Sequence, residues 1–319
     1  MIRISILTSA LFLLASIANT SGIRDVHRML VKEKTDGINR DNKQVPKLGE
    51  TFAFAKHFQD NMVLQKAPAR ANIYGFSSAL GQQVIAQMRT PSHQYYYSTT
   101  VQQSPSPNIG VWSFSLDPIE ANVTVSINVH SEQGELAIRN VIFGDVWICS
   151  GQSNMQFTIV MMLNASQELA DARNYPNIRI MTVAEAQSDT PLHDLVSIEE
   201  HWTSPSSATI GGPAWSFFSA VCWLYGKAIH KELGYPIGLV STTWGGTPIK
   251  AWSSPEALAE CGVTSNTAKN QPPEYESYVK QLPPAERAKL SGPETNSVLW
   301  NAMVYPLLGM TIYGTLWYQ

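Results

Sequence analysis

Gly144-Asp-Val-Trp-Ile-Cys-Ser-Gly-Gln-Ser-Asn-Met-Gln156 decides the fold of this chain. An apolar run ends in a tight Gly-Gln-Ser-Asn turn, and a helical segment is expected to follow. A strand that feeds a helix through such a turn is an α/β signature. A serine at that turn, here Ser153, has an exposed hydroxyl. The backbone N–H groups of the next helix start point at whatever it attacks. The same residue type also serves as a plain helix cap or turn residue. The turn is not the G-x-S-x-G elbow, because Met155 replaces its second glycine.

The pattern changes on either side of residue 141. Upstream, Val123, Val125, Ile127 and Val129 alternate with polar residues, as a half-buried strand requires. Trp112, Phe114 and Leu116 repeat the alternation. Further strands are expected over 71–76, 84–88 and 95–101. A small β-sandwich of about six or seven strands over 51–140 follows. Downstream, strands and helices alternate. Strands are expected over 141–149, 178–183, 237–243 and 311–318. Helices are expected over 156–173 and 216–233, the latter stopped by Leu233-Gly-Tyr-Pro236. Residues 262–295 are polar and Pro-rich, a surface loop with one helix over 284–290.

The 319 residues have room for two domains, and an apolar fraction of 44% supports a sizeable core. A net charge of −3 and a pI near 6.2 argue against nucleic acid or an anionic membrane surface as a partner. Residues 1–20 read as a signal peptide: Arg3 opens it, 4–18 form its apolar stretch, and small residues around 18–22 offer a cleavage site. Export to the cell exterior or the lysosome is therefore expected, with no membrane span left after cleavage. Residues 21–50 read as a linker or disordered arm, with room for one short helix over 26–33. Asn122-Val-Thr124 and Asn164-Ala-Ser166 are glycosylation sequons in that setting. Cys149, Cys222 and Cys261 form an odd set, so buried free thiols are the expected state for most of them.

Two further stations lie at expected strand ends. Gly245-Gly246-Thr247 follows the 237–243 strand, and its backbone N–H groups suit an oxyanion. Leu316-Trp-Tyr-Gln319 closes the last strand, where the Gln319 amide could donate to the same oxygen. Taken singly, each station has a plain structural reading as a turn or a strand end.

Taken in order, the Gly-Gln-Ser-Asn-Met turn, Trp244-Gly-Gly-Thr-Pro-Ile249, Ala251-Trp252 and Gly314 to Gln319 resemble the sialate O-acetylesterase family, a group of SGNH-type hydrolases. So do Phe52-Ala-Phe-Ala55, Asp60-Asn-Met-Val-Leu-Gln-Lys66, Ser219-Ala-Val-Cys-Trp-Leu224, Tyr235-Pro-Ile-Gly-Leu239 and Ser297-Val-Leu-Trp-Asn-Ala-Met303. The likeness spans about residues 51–319.

The resemblance implies a three-layer α/β/α catalytic domain over 141–319 behind the β-sandwich. It implies an esterase that removes acetyl groups from O-acetylated sialic acid or a related sugar, with no metal and no organic cofactor. Ser153 would be nucleophile and oxyanion donor at once. Gly245 or Gly246 would be the second donor and Gln319 the third, each worth about 10²–10³ in rate. The family's Asp-x-x-His base pair lies downstream of its Trp-Tyr-Gln block, and this sequence ends inside that block. His27, His57, His93, His130, His193, His201 and His230 all lack an aspartate three residues earlier. The expectation is a C-terminally truncated esterase, incomplete or inactive as it stands, with a non-catalytic glycan-binding relative or a fragment of a longer esterase as alternatives.

Overall fold

The computed structural model describes residues 52–104, 109–263, 281 and 292–319. The expected signal peptide, the 21–50 arm with its 26–33 helix, and the 284–290 helix lie outside these residues.

Among the described residues, nine strands precede Ser153, and the first eight are β1 (Ala53–Phe54), β2 (Val63–Gln65), β3 (Asn72–Ser77), β4 (Gln83–Arg89), β5 (Gln94–Thr100), β6 (Gln102–Gln103), β7 (Gly110–Ser115) and β8 (Thr124–Ser131). The ninth, β9 (Gly134–Gly151), is 18 residues long. After it come β10 (Ile178–Val183), β11 (Ile198–Thr203), β12 (Ile237–Thr243) and β13 (Gly314–Tyr318). The helices are α1 (Ser153–Gln156), α2 (Ala165–Asp171), α3 (Ala220–Leu233) and α4 (Pro255–Glu260).

A four-stranded sheet runs β1-β3-β7-β6 and a nine-stranded sheet runs β11-β10-β12-β9-β8-β4-β5, with β2 and β13 also paired to β9. β9 is the spine of the larger sheet. Its first half pairs antiparallel with β8, and its second half pairs parallel with β12 and β13. The boundary expected near residue 140 therefore falls inside one continuous strand. No pattern marks the join, because Val141, Ile142, Phe143 and Val146 are all buried there.

In the sandwich, inward Ile73, Trp112 and Phe114 of the small sheet meet Val84, Ala86, Met88, Ile127 and Val129 of the large one in a single core. Trp112 is fully buried, with Phe52, Phe54 and Phe114 rings 5.6, 5.3 and 5.8 Å from its own. The same core continues through Met181, Val183, Val240 and Trp252 to Leu299, Ala302 and Met303. A second core, with Met155, Ile178, Ile180, Phe218, Trp223 and Leu239, fills the space beneath α3. The parallel part of the sheet is thus covered on both faces, as parallel strands require.

Three differences from the sequence reading have physical causes. The expected 156–173 helix is broken into α1, a 3₁₀ turn over Ile159–Met161, and α2. Thr158 is extended at φ −97° and ψ 161° and bridges Ser219, and the β-branched run Thr158-Ile-Val160 resists a helix. The second helix starts at Ala220 instead of 216. Ser219 caps it, its Oγ accepting the Cys222 N–H at 3.1 Å, and Phe217 stands at φ 64°. Strand β11 has no counterpart among the expected strands, because Trp202 is the one side chain of its six that is buried and leaves no apolar pattern to read.

The cysteines also differ from the expectation of free thiols. Cys149 and Cys222 form a disulfide that ties β9 to α3, and Cys261 is free and exposed. Both disulfide partners are buried, so hydrophobic burial alone could not separate a thiol from a bridge.

Candidate active site

The parallel register brings the three sequence stations together. Gly151 of β9 stands opposite Thr243 of β12 and opposite Tyr318 of β13. Ser153, the Gly245-Gly246 pair and Gln319 each lie one to three residues beyond these partners. They therefore gather at the carboxyl ends of three neighbouring parallel strands, where open α/β sheets bind ligands.

Close backbone packing fixes the turn. Gly151 has φ 143°, and a Cβ there would lie 2.1 Å from the Tyr318 carbonyl oxygen, so only glycine fits. The Gly151 carbonyl accepts the Trp244 N–H at 3.1 Å, and the Gln152 N–H donates to the Tyr318 carbonyl at 3.1 Å. The Ser153 turn is thereby tied to both flanking strands. Beneath it, Met155 is buried and its sulfur accepts the Ser219 hydroxyl at 3.5 Å.

Ser153 is half-buried at the start of α1, and its Oγ donates to Gln152 Oε1 at 2.7 Å. Gln156, one turn later, joins three segments. Its Oε1 accepts the Gly245 N–H at 2.7 Å, and its Nε2 donates to Glu185 Oε1 at 2.8 Å and to the Trp215 carbonyl at 3.4 Å. A methyl built on Gly245 would sit 3.3 Å from Ser153 Cβ, which places the glycine loop directly against the serine. Gly246 adopts φ 73°, the left-handed region that the second glycine permits. Gln319 Nε2 donates to the Thr247 carbonyl at 2.8 Å, so its amide reaches the same loop from the β13 side. Thr247 Oγ1 donates to the Trp244 carbonyl at 2.7 Å and accepts Trp252 Nε1–H at 2.8 Å, which folds the loop back on itself.

Four of the described histidines have partners other than Ser153. His57 is fully buried between the Phe58 and Tyr74 rings, and desolvation lowers its pKa to about 3. His130 pairs with Glu135 at 3.2 Å, His230 Nδ1 bonds the Tyr235 carbonyl oxygen at 2.8 Å, and His193 packs on Tyr305. Among the described residues, the only hydrogen-bond partner of the Ser153 hydroxyl is the neutral Gln152 amide. Among the described residues, no group of three or more His, Cys, Asp or Glu is able to hold a metal, and no helix is long and apolar enough to cross a membrane. An open cleft of about 340 Å³ between Tyr74, His193 and Tyr305 is lined by none of the site residues.

Sequence reasoning missed Gln156, Glu185 and Trp215. Gln156 had a readable signal, since it lies one helical turn after Ser153. Glu185 and Trp215 had none, because their proximity to the serine depends on strand order.

Comparison with known proteins identifies relatives of this chain. Residues 143–302 match the family model for carbohydrate esterase, sialic acid-specific acetylesterase. The sialate O-acetylesterases of Homo sapiens and Pongo abelii are each 38% identical over 275 residues, covering 85% of this chain and 49% of theirs. That of Rattus norvegicus is 38% identical over 288 residues, covering 52% of its length. The chain thus spans about half the length of the curated relatives it matches. The crystal structure of a carbohydrate acetylesterase from Xanthomonas citri shares the fold, with a TM-score of 0.63 at 24% identity, over 84% of this chain and 50% of that one.

Proposed function

Because the chain belongs to the sialic acid-specific carbohydrate acetylesterase family, we propose that it acts on O-acetylated sialic acids or related sugars, with Ser153 attacking the acetyl ester. The observation that carries this reading is the convergence of Ser153, the Gly245-Gly246 loop and Gln319 at the ends of β9, β12 and β13. In this reading the Ser153 oxygen adds to the acetyl carbonyl, the sugar alcohol leaves, and water then releases acetate from the serine.

The oxyanion formed on addition needs donors that are already in place. The Ser153 backbone N–H is one. Gln156 Oε1 occupies the Gly245 N–H, which leaves Gly246 as the donor from that loop. The Gln319 amide carries two N–H groups, and one is used on Thr247, so the second is the third donor.

A second reading rests on the Ser153 hydroxyl itself. Its acceptor, Gln152 Oε1, is a neutral amide and not a base that takes the proton. Such a hydroxyl suits a chain that binds the acetylated sugar without cleaving it.

One experiment separates the two. The purified chain is exposed to a fluorophosphonate and to 4-nitrophenyl acetate. Covalent labelling and acetate release that both vanish in Ser153→Ala support the esterase. Sugar binding with neither labelling nor turnover supports the second reading.

We also propose that the chain enters the secretory pathway. Its N-terminal segment, the Cys149–Cys222 bridge and the exposed positions of Asn122 and Asn164 support this. A gel shift after glycosidase treatment tests it.

A further inference from the structure

Trp215 and Phe217 both have left-handed backbones, at φ 66° and 64°. Large L-residues avoid that region, and departures from it concentrate at ligand sites, where surrounding contacts hold them. Here the contacts are explicit. The Trp215 N–H donates to Thr158 Oγ1 at 3.2 Å, and its carbonyl accepts Gln156 Nε2–H at 3.4 Å. The Phe217 N–H donates to Glu199 Oε1 at 3.2 Å, and its carbonyl accepts the Thr182 hydroxyl at 3.0 Å. Phe217 also fills the space over Gly212, where a Cβ could not be accommodated.

Phe217 thus anchors the segment, yet Trp215 does not turn into the core. It is 37% exposed and leans edge-on against Phe157, ring centroids 6.1 Å apart. Phe157 follows Gln156, and the Gln156 amide spans from Trp215 to Gly245 beside the Ser153 side chain. A half-exposed indole is therefore pinned in a strained conformation on the rim of the serine site. Glu199 accepts the Phe217 N–H, and Glu185 accepts the Gln156 amide that also holds the Trp215 carbonyl.

We propose that Trp215 is the platform on which the apolar C–H face of the acetylated sugar stacks. It sets specificity for a sugar ester over a bare acetyl ester. This rests on the reading of Ser153 as the residue that faces the ester. An indole presents a flat apolar face and loses little entropy on contact, which suits the C–H face of a sugar.

The test is calorimetric titration of Ser153→Ala, in which the ligand is not consumed, with 9-O-acetyl-N-acetylneuraminic acid. Adding Trp215→Gly is expected to weaken binding about tenfold, while Trp215→Phe stays within about threefold. The melting midpoint of Trp215→Gly should not fall, because glycine relieves the left-handed backbone. Unchanged affinity in the glycine variant overturns the proposal. So does a lowered midpoint with equal losses in the glycine and phenylalanine variants, since Trp215 would then be a packing residue. Absence of any sugar binding by Ser153→Ala overturns it as well. Failure of the serine reading is seen separately, as absent fluorophosphonate labelling of the Trp215-intact chain, and the titration still decides Trp215.

Discussion

Gln156 Oε1 accepts the Gly245 N–H at 2.7 Å, so a side chain one turn after the serine holds the glycine loop that faces it. The link joins α1 to the end of β12 across 89 residues of sequence. Removing it leaves a partly buried N–H without an acceptor and frees the loop. Gln156→Ala is expected to slow fluorophosphonate labelling of Ser153 by about tenfold, less than the roughly 10²–10³ of removing a donor outright. A labelling time course measures it, and a rate equal to that of the parent chain refutes the positioning role.

Gly151→Ala should be among the most damaging single-methyl changes in the chain. The added Cβ meets the Tyr318 carbonyl oxygen at 2.1 Å, and φ 143° excludes an L side chain. A loss of roughly 3 kcal/mol or more is expected, since backbone and not a flexible side chain must move. Denaturant midpoints of the two proteins give the value. A difference under about 1 kcal/mol means that β13 shifts freely past β9.

His57 makes stability depend on pH. Its folded-state pKa is lowered from 6.5 to about 3 by burial, so only the unfolded chain takes up a proton between those values. The neutral ring's contribution is complete above pH 6.5 and is lost as pH falls toward 3. The slope is roughly 1.4 kcal/mol per pH unit, or about 2 kcal/mol between pH 6.5 and 5. Urea midpoints across that window should fall in the parent and flatten in His57→Leu. Parallel curves for the two proteins would falsify the assignment.

The Cys149–Cys222 bridge closes a 73-residue separation. Chain-entropy reasoning assigns such a loop about 4 kcal/mol. Paired Cys149→Ala and Cys222→Ala changes should lower the melting midpoint by several degrees. The bridge also sits four residues before Ser153, so fluorophosphonate labelling should slow more in this variant than in Cys261→Ala. Equal labelling in both variants confines the bridge to stability.

Much of the fold was legible locally. The strands at Ile178–Val183 and Ile237–Thr243 match the expected 178–183 and 237–243, because parallel strands buried on both faces read as unbroken apolar runs. Alternation placed β4, β5, β7 and β8 within a residue or two. β11 was not legible, since an edge strand with a single buried indole carries too little pattern. Nor was the break at Thr158, where a long-range bridge to Ser219 overrides helical spacing.

The sequence by itself determined the ingredients of the site: a serine in a strand-to-helix turn, a glycine pair and a glutamine, each just beyond an apolar run. Strand ends and turns follow from side-chain periodicity and from glycine's freedom, which act over a few residues. Tertiary structure alone decided that β12 and β13 flank β9, and so that Gly245, Gly246 and Gln319 meet Ser153. It also decided which cysteines pair, that Gln156 claims the Gly245 N–H, and that Trp215 stands at the rim. Those relations join segments separated by 59 to 89 residues. At such separations the free energy lies in strand pairing and core packing, and local residue patterns carry no record of it.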